Sequence, residues 1–361
     1  MFLHEFHESL GAHFETVNGA EVVSDYGDPL LEYAALTQKA AIIDLSFRSR
    51  LCLVGADRIR FLHGQVTNDV KRLQLGNGCY AALVSAKGRM QSDLNIYCLA
   101  DELLLDFEPG FLKTVSERLE KYIVADDVQV VDIASSYGLL SIQGPRAAEI
   151  IRQLQLFGDL PPIPFQFSKT EDATLGEIYL MNQQRIGTGG FDIYVAQPAL
   201  VAVADKLVAS ARSIGGSACG RTALEMARIE AGIPRFGVDM DETNFPQECG
   251  IESRAVSYTK GCYIGQEVLN RIHTMGHVNQ QLHGLQLEDN LKSLPRKGDK
   301  LLQSGREVGS IRSALASPGW KRNIALGYVR REVAQIAMTL TLQTAEEQST
   351  ARIVALPLPR Q

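Results

Sequence analysis

The sequence predicts an α+β fold, with helices layered on antiparallel sheet, followed by a β-rich tail. Three observations carry that reading. Strand-like runs between residues 50 and 196, those at 79–84, 93–99 and 103–107 alternating, mix with segments of helical spacing without strict βαβ order. From about Gln280 the texture changes to short strand-like runs separated by glycine, proline and lysine, which suits a small β-barrel. At 361 residues the chain also exceeds what one core ordinarily serves, so two or three domains are expected, with a boundary near 280.

Taken in order, Ala34–Asp44 reads as a helix and a short apolar run, and Arg50–Gly55 as a strand ended by glycine. Ala56–Val70 places Ile59, Leu62 and Val66 at helical spacing, with Asp57 in the first turn. Cys79–Val84, Asp93–Leu99 and Leu103–Phe107 alternate like strands of one sheet, and Ser85–Gly88 turns between the first two. Lys113–Ile123 is amphipathic and helical, and Val128–Ile133 is a strand. A second unit opens at Gly138–Ile142 and continues into a helix started by Pro145. Pro161, Pro162 and Pro164 mark a loop, and strands at 175–181 and 191–196 flank Arg185–Gly190. Leu200–Ile214 is an amphipathic helix stopped by Gly215 and Gly216. A further helix from about Thr222 to Ala231 sets Glu225 and Arg228 three apart on one face.

Composition narrows the function classes. Hydrophobic residues make up 45 % and charged ones 22 %, ordinary for a soluble globular protein. No apolar stretch reaches the length of a membrane span, and the first ten residues lack the basic-then-apolar pattern of a signal peptide. The six dispersed cysteines form no CxxC pair, and Cys52, Cys79 and Cys98 sit in strand-like runs as small core residues, so a reduced, cytoplasmic setting is expected. Net charge of −6 argues against direct nucleic-acid binding, yet the charge is uneven. Residues 291–361 hold 12 Lys and Arg against 5 Asp and Glu, leaving 24 against 37 elsewhere. Such a basic module either steers an anionic ligand or partner or is a solvated surface.

The densest chemistry lies in Lys260–Glu267, Lys-Gly-Cys-Tyr-Ile-Gly-Gln-Glu. Gly261 and Gly265 permit backbone conformations or close approaches that other residues resist. Cys262 follows Lys260 and precedes a short helix, a setting that favours the thiolate; the alternative is a glycine turn with a small buried thiol. Tyr263, Gln266 and Glu267 complete the motif, the last two also reading as plain helix-start residues. Zinc is not expected. Cys249 and Cys262 are thirteen positions apart, and Gly276 weakens a helix that would align His273 with His277. The Gly187–Gly190 run lacks the spacing and following helix of a dinucleotide loop.

The octet resembles the signature of the YgfZ-type folate-binding proteins, relatives of the glycine cleavage T-protein that support iron–sulfur enzymes. Phe61–Val70, Arg228–Gly232, Glu307–Ile311 and Ser317–Tyr328 resemble further stretches of the T-protein superfamily in order and spacing. The resemblance implies two related sheet-and-helix units, about 1–135 and 136–279, around a folate cleft, then a β-barrel at 280–361. It implies tetrahydrofolate or a derivative as cofactor, with Asp93, Asn68 and Arg228 facing it. Asp93 otherwise caps a turn, and Arg228 otherwise pairs with Glu225. In the T-protein an Asp-Asp pair and a Gly-Tyr-Thr-Gly-Glu run serve aminomethyl transfer; here stand Ser92-Asp93 and Arg185–Asp192 without that tyrosine and glutamate. The implied function is a folate-binding factor for maturation or repair of iron–sulfur enzymes, with client or assembly proteins as partners, Cys262 and Lys260 as working groups, and an indirect effect on tRNA modification. Aminomethyl transfer and a folate-independent docking module are the alternatives.

Overall fold

Side-chain alternation organises the first of two compact units, formed by the chain up to Ala81 together with Asp93–Ala227. The computed structural model describes residues 2–357. Helix α1 (His4–Ser9) precedes a hairpin of β1 (His13–Val17) and β2 (Ala20–Asp25). Helix α2 (Pro29–Gln38) starts at Asp28, whose carboxylate accepts from the Leu30 and Leu31 amides. Then come β3 (Ala41–Asp44), β4 (Ser49–Val54), α3 (Arg58–Gln65), β5 (Gly78–Val84), β6 (Met90–Cys98), β7 (Glu102–Phe107), α4 (Leu112–Glu120) and β8 (Gln129–Asp132). The unit continues through β9 (Tyr137–Gln143), α5 (Ala147–Gln153), β10 (Phe167–Asp172), β11 (Gly176–Asn182), β12 (Gly190–Ala196), α6 (Leu200–Ser213), β13 (Ser217–Ala218) and most of α7 (Arg221–Glu230).

Two larger sheets result, ordered β5-β6-β7-β4-β8 and β10-β11-β12-β9-β3-β13. Strand β3 pairs antiparallel with β9, Ile42 opposite Ile142, so residues from both sides of position 135 share one sheet. Both faces of this sheet are buried. Ile42, Leu140, Leu180 and Ile193 pack with Ile150 of α5 and Leu207 of α6. Their strand neighbours Ile43, Leu139, Met181 and Tyr194 pack instead with Cys52, Tyr97 and Leu104 of the five-stranded sheet. Runs such as Leu139–Ile142 are therefore nearly continuous in apolar residues, as two buried faces require. Cys79 departs from the expected core position: it is half-buried, while Cys52 and Cys98 are buried.

The second unit takes Ala82–Ser92 together with the chain from Arg228 on. After α8 (Glu252–Ala255) and α9 (Gln266–Met275), strands β14 (Gln280–Leu287), β15 (Lys300–Gln303), β16 (Arg306–Ser317), β17 (Arg322–Arg330), β18 (Thr339–Gln343) and β19 (Gln348–Val354) close into a barrel. Leu285, Leu301, Ile311, Val329, Leu342 and Ile353 form its core. A register shift between Ile311 and Ser313 bends the long β16, as closure of a small barrel demands. Among the described residues no helix is long and apolar enough to cross a membrane.

Barrel closure brings Gly309 against β17: an added Cβ would lie 2.2 Å from the Tyr328 carbonyl oxygen. Gly309→Ala is expected to cost about 1–3 kcal/mol through backbone displacement. Gly64→Ala, inside α3 with nothing within 4 Å of the new carbon, should instead be neutral or stabilise by up to about 1 kcal/mol. Denaturant unfolding of the two variants checks the contrast.

Candidate functional site

The parity that builds the apolar layer also carries a polar row. Tyr97 on β6 and Leu104 on β7 belong to the core between the sheets. Asn95 and Asp93 stand two and four residues from Tyr97, and Asp106 stands two from Leu104, so all three share the inward face. Strand pairing sets Asn95 opposite Asp106. Asp106 is buried, and its carboxylate accepts from Arg48 Nε at 2.7 Å, Arg48 Nη2 at 3.1 Å, Asn95 Nδ2 at 2.9 Å and Arg185 Nη2 at 3.2 Å. Burial raises its pKa, but Arg48 and Arg185 outweigh burial and hold it down at about 2. The third Arg48 nitrogen, Nη1, donates to Glu108.

Arg185 joins this row to the other sheet. Its Nε reaches Asp192 Oδ2 at 3.0 Å, its Nη2 the same oxygen at 2.5 Å, and Ser141 Oγ donates to Asp192 Oδ1 at 2.6 Å. Tyr97 donates to Gln183 Oε1 at 2.9 Å, and Gln143 Nε2 to Ser141 Oγ at 2.9 Å. The stretch in which the T-protein pattern carries a tyrosine and a glutamate thus holds a buried ion pair, with Asp192 engaged by Arg185 and Ser141.

Asp93 lies at the end of the row. Its Oδ2 accepts from the Tyr80 hydroxyl at 2.8 Å, and Asn68 Nδ2 donates to the Tyr80 carbonyl oxygen at 2.8 Å. Tyr80 therefore joins two of the three predicted folate residues into one cluster. Burial, with the Glu108 charge second, pushes Asp93 up to about 6 against the pull of Tyr80 and Arg48. A carboxyl that titrates there can accept or donate a proton near neutral pH, the property expected of a ligand-facing acid.

The third, Arg228, belongs to the second unit. It is buried, donates from Nη1 to Asp239 Oδ2 at 2.5 Å and from Nη2 to Ser313 Oγ at 3.2 Å, and so anchors the end of α7 to the barrel. Arg48, Tyr80, Asn95, Asp106 and Arg185 were not singled out from the sequence. For Tyr80, Asn95 and Asp106 the available signal was parity, polar residues two along from core positions; Arg48 and Arg185 lie outside the strands and carried none.

The octet also lies in the second unit. Gly265 caps α9 with φ of 87°, and a Cβ there would lie 2.6 Å from the Ser85 carbonyl oxygen in the β5–β6 turn. Gly88 of that turn, at φ of 73°, leaves room for Leu269 Cδ2 at 3.1 Å from an added Cβ. The two glycines let the start of α9 sit on the hairpin turn. Tyr263 is buried, with the buried Lys260 Nζ 4.7 Å from its ring centroid. The structure thus gives Lys260 an aromatic partner beyond its expected role beside the thiol. Cys262 is exposed, as is Gly261, and precedes the cap by three residues rather than lying within the helix's first turn. Gln266 donates its backbone amide to Tyr263, and Glu267 is exposed and paired with Arg271 at 3.1 Å. His273 is bonded to Glu252 at 3.0 Å and stacked on Tyr258.

Two family profiles match. The GCVT N-terminal domain covers residues 3–260, and the glycine cleavage T-protein C-terminal barrel domain covers residues 280–358. The chain belongs to the glycine cleavage T-protein family. Within it, an aminomethyltransferase of Geobacillus sp. is 27% identical over 354 residues, 97% of this chain and 96% of that protein. An aminomethyltransferase of Halothermothrix orenii is 26% identical over 361 residues, 98% of each. A chloroplastic protein of Arabidopsis thaliana, whose name carries a provisional transferase assignment, is 27% identical over 340 residues, 94% of this chain and 76% of that one. The crystal structure of the glycine cleavage system aminomethyltransferase T from Bartonella henselae superposes with a TM-score of 0.89 at 22% identity, covering 100% of this chain and 98% of that one. At that identity the likeness establishes the α+β T-protein fold with its terminal barrel.

For this T-protein family member, the raised pKa of Asp93 has a stability consequence. Its contribution is fully present below the ordinary carboxyl pKa of 3.8 and is lost as pH rises through about 6. Asp93→Asn should therefore gain stability relative to the parent as pH rises from 4 to 8, as read by thermal unfolding across that range. A constant difference would contradict the assignment.

Proposed function

We propose that this chain binds a reduced folate and uses the Cys262 thiol to support maturation or repair of iron–sulfur enzymes, with tRNA modification affected through such clients. The observation that carries the folate part is the Asn68–Tyr80–Asp93 cluster, which ends a polar row in a family whose name-giving member handles one-carbon units. Its chemistry fits the ligand at Asp93, whose desolvated carboxylate matches the N–H donors of a pterin edge, while Asn68 holds the Tyr80 carbonyl oxygen and the Asp69 amide. The octet supports the second part. Gly265, Lys260 and Tyr263 have packing partners, while Cys262 is exposed and available to a soft metal or another thiol. Tetrahydrofolate, when bound, supplies a carrier for one-carbon groups; the protein's own contribution at Asp93 is to hold or release a proton.

Aminomethyl transfer is the second reading, favoured by the names of the relatives, which align over nearly the whole chain. Against it stand Ser92 in place of one acid and the Arg185–Asp192 pair in place of the tyrosine and glutamate.

Calorimetric titration with tetrahydrofolate is expected to show saturable binding that Asp93→Ala weakens. Binding should also weaken as pH falls through about 6, where Asp93 gains a proton. No saturation at millimolar folate would remove the folate reading. Cys262→Ser is expected to fold and bind folate normally yet fail to restore a cluster-dependent enzyme in a strain lacking its own relative. Turnover of an aminomethylated lipoyl carrier protein on the order of 1 per second or faster would establish the transferase instead.

A further inference from the structure

The second unit holds a polar cleft of about 690 Å³ that neither the folate cluster nor the octet uses. Its cations are Arg89 from the β5–β6 turn and Arg330 and Arg331 from the end of β17. Arg89 is preset: its guanidinium lies 3.6 Å from the Phe245 ring centroid and 3.6 Å from Glu248. Arg330 and Arg331 are exposed, and among the described residues neither is in an ion pair. The backbone behind them is fixed, since Gln280 pairs with Arg330 and the Arg331 amide donates to the Asn279 carbonyl oxygen at 2.9 Å. Two fixed backbone positions thus present two free forks of the geometry that suits carboxylates.

The rest of the lining selects among anions. Glu248 and Glu332 also face the cleft, so a densely charged phosphate chain would meet two carboxylates. Among the described lining residues His277 is the one ring and there is no Phe, Tyr or Trp, so successive nucleobases would find no row of stacking platforms. Asn279, Gln280 and Thr243 supply neutral donors and acceptors of the kind that pair with peptide groups. The excess of Lys and Arg in residues 291–361, 12 against 5 Asp and Glu, adds long-range attraction for an anionic partner. We infer that this cleft docks an acidic peptide segment of a partner protein, its carboxylates on Arg330 and Arg331 and its backbone on Asn279 and Gln280. The inference stands on the cleft alone and is independent of folate binding.

The test uses the full chain and a fluorescein-labelled peptide of alternating glutamate and alanine, read by anisotropy at low and physiological ionic strength. Saturable binding is expected, absent for the peptide with glutamine in place of glutamate. Arg330→Glu with Arg331→Glu should weaken it by about tenfold or more. Arg322→Glu with Arg352→Glu, the same charge change at another group of barrel residues, should weaken it by less than about threefold, the effect of altered net charge alone. Equal losses in the two double variants would show diffuse attraction and overturn the proposal. Full displacement of the peptide by inorganic phosphate at equal concentration would make the cleft a simple oxyanion site and overturn it too. Tighter binding of a single-stranded RNA oligomer, lost in the same Arg330/Arg331 variant, would do so as well. Unchanged thermal unfolding of each variant, and unchanged tetrahydrofolate titration, separates loss of docking from loss of fold or of the folate reading.

Discussion

The first unit depends on one requirement: charges on the inward faces of its two sheets must neutralise one another. Arg48, Asp106, Arg185 and Asp192 are mutually paired and almost wholly removed from solvent. Buried pairs of this kind seldom exceed a well-packed apolar layer in stability, but stripping one partner leaves a charge that costs about 3–5 kcal/mol. Asn95, Ser141 and the carboxylate of Glu108 fill hydrogen-bonding positions that the two arginines and two aspartates leave open. The network therefore acts as a lock on side-chain direction. Because Arg48 is shared by Asp106 and Glu108, its charge reaches Asp93 only in part, and burial prevails there.

That division explains two carboxyls on neighbouring strands with opposite behaviour. Asp106 receives both guanidinium groups and stays ionised well into acid, whereas Asp93 receives a tyrosine hydroxyl and titrates near neutrality. Environment, and not residue type, keeps one ionised within a structural network and lets the other change protonation near neutral pH. In the second unit the same logic makes Arg228 structural through Asp239.

The octet combines two kinds of constraint. Gly265 is needed because its backbone meets the Ser85 carbonyl oxygen, and Gly88 because of its left-handed backbone and the close Leu269 and Val268 side chains. Lys260 and Tyr263 pair ammonium with ring inside the packing. Cys262 and Glu267 are the octet's exposed reactive groups, and of the two Glu267 is paired, with Arg271. The Glu267–Arg271 pair is exposed and contributes little to stability.

Local pattern by itself determined much of this protein. Alternating runs marked β5, β6 and β7, short apolar runs marked β4, β9 and β12, the glycine pair ended α6, and the loss of helical spacing after Gln280 announced the barrel, since each is a property of neighbours along the chain. The octet and the Phe61–Val70 stretch likewise pointed to the family. Tertiary structure alone decided the rest. That β3 completes a sheet made of later strands follows from packing two buried faces, which no local window contains. The partners of Arg48, Arg185 and Arg228 lie 58, 7 and 11 positions away on other strands and loops, so spacing within a helix or strand misdirects them. The pKa of Asp93 and the setting of Lys260 depend on burial and on charges brought close by folding, quantities that a linear sequence does not carry.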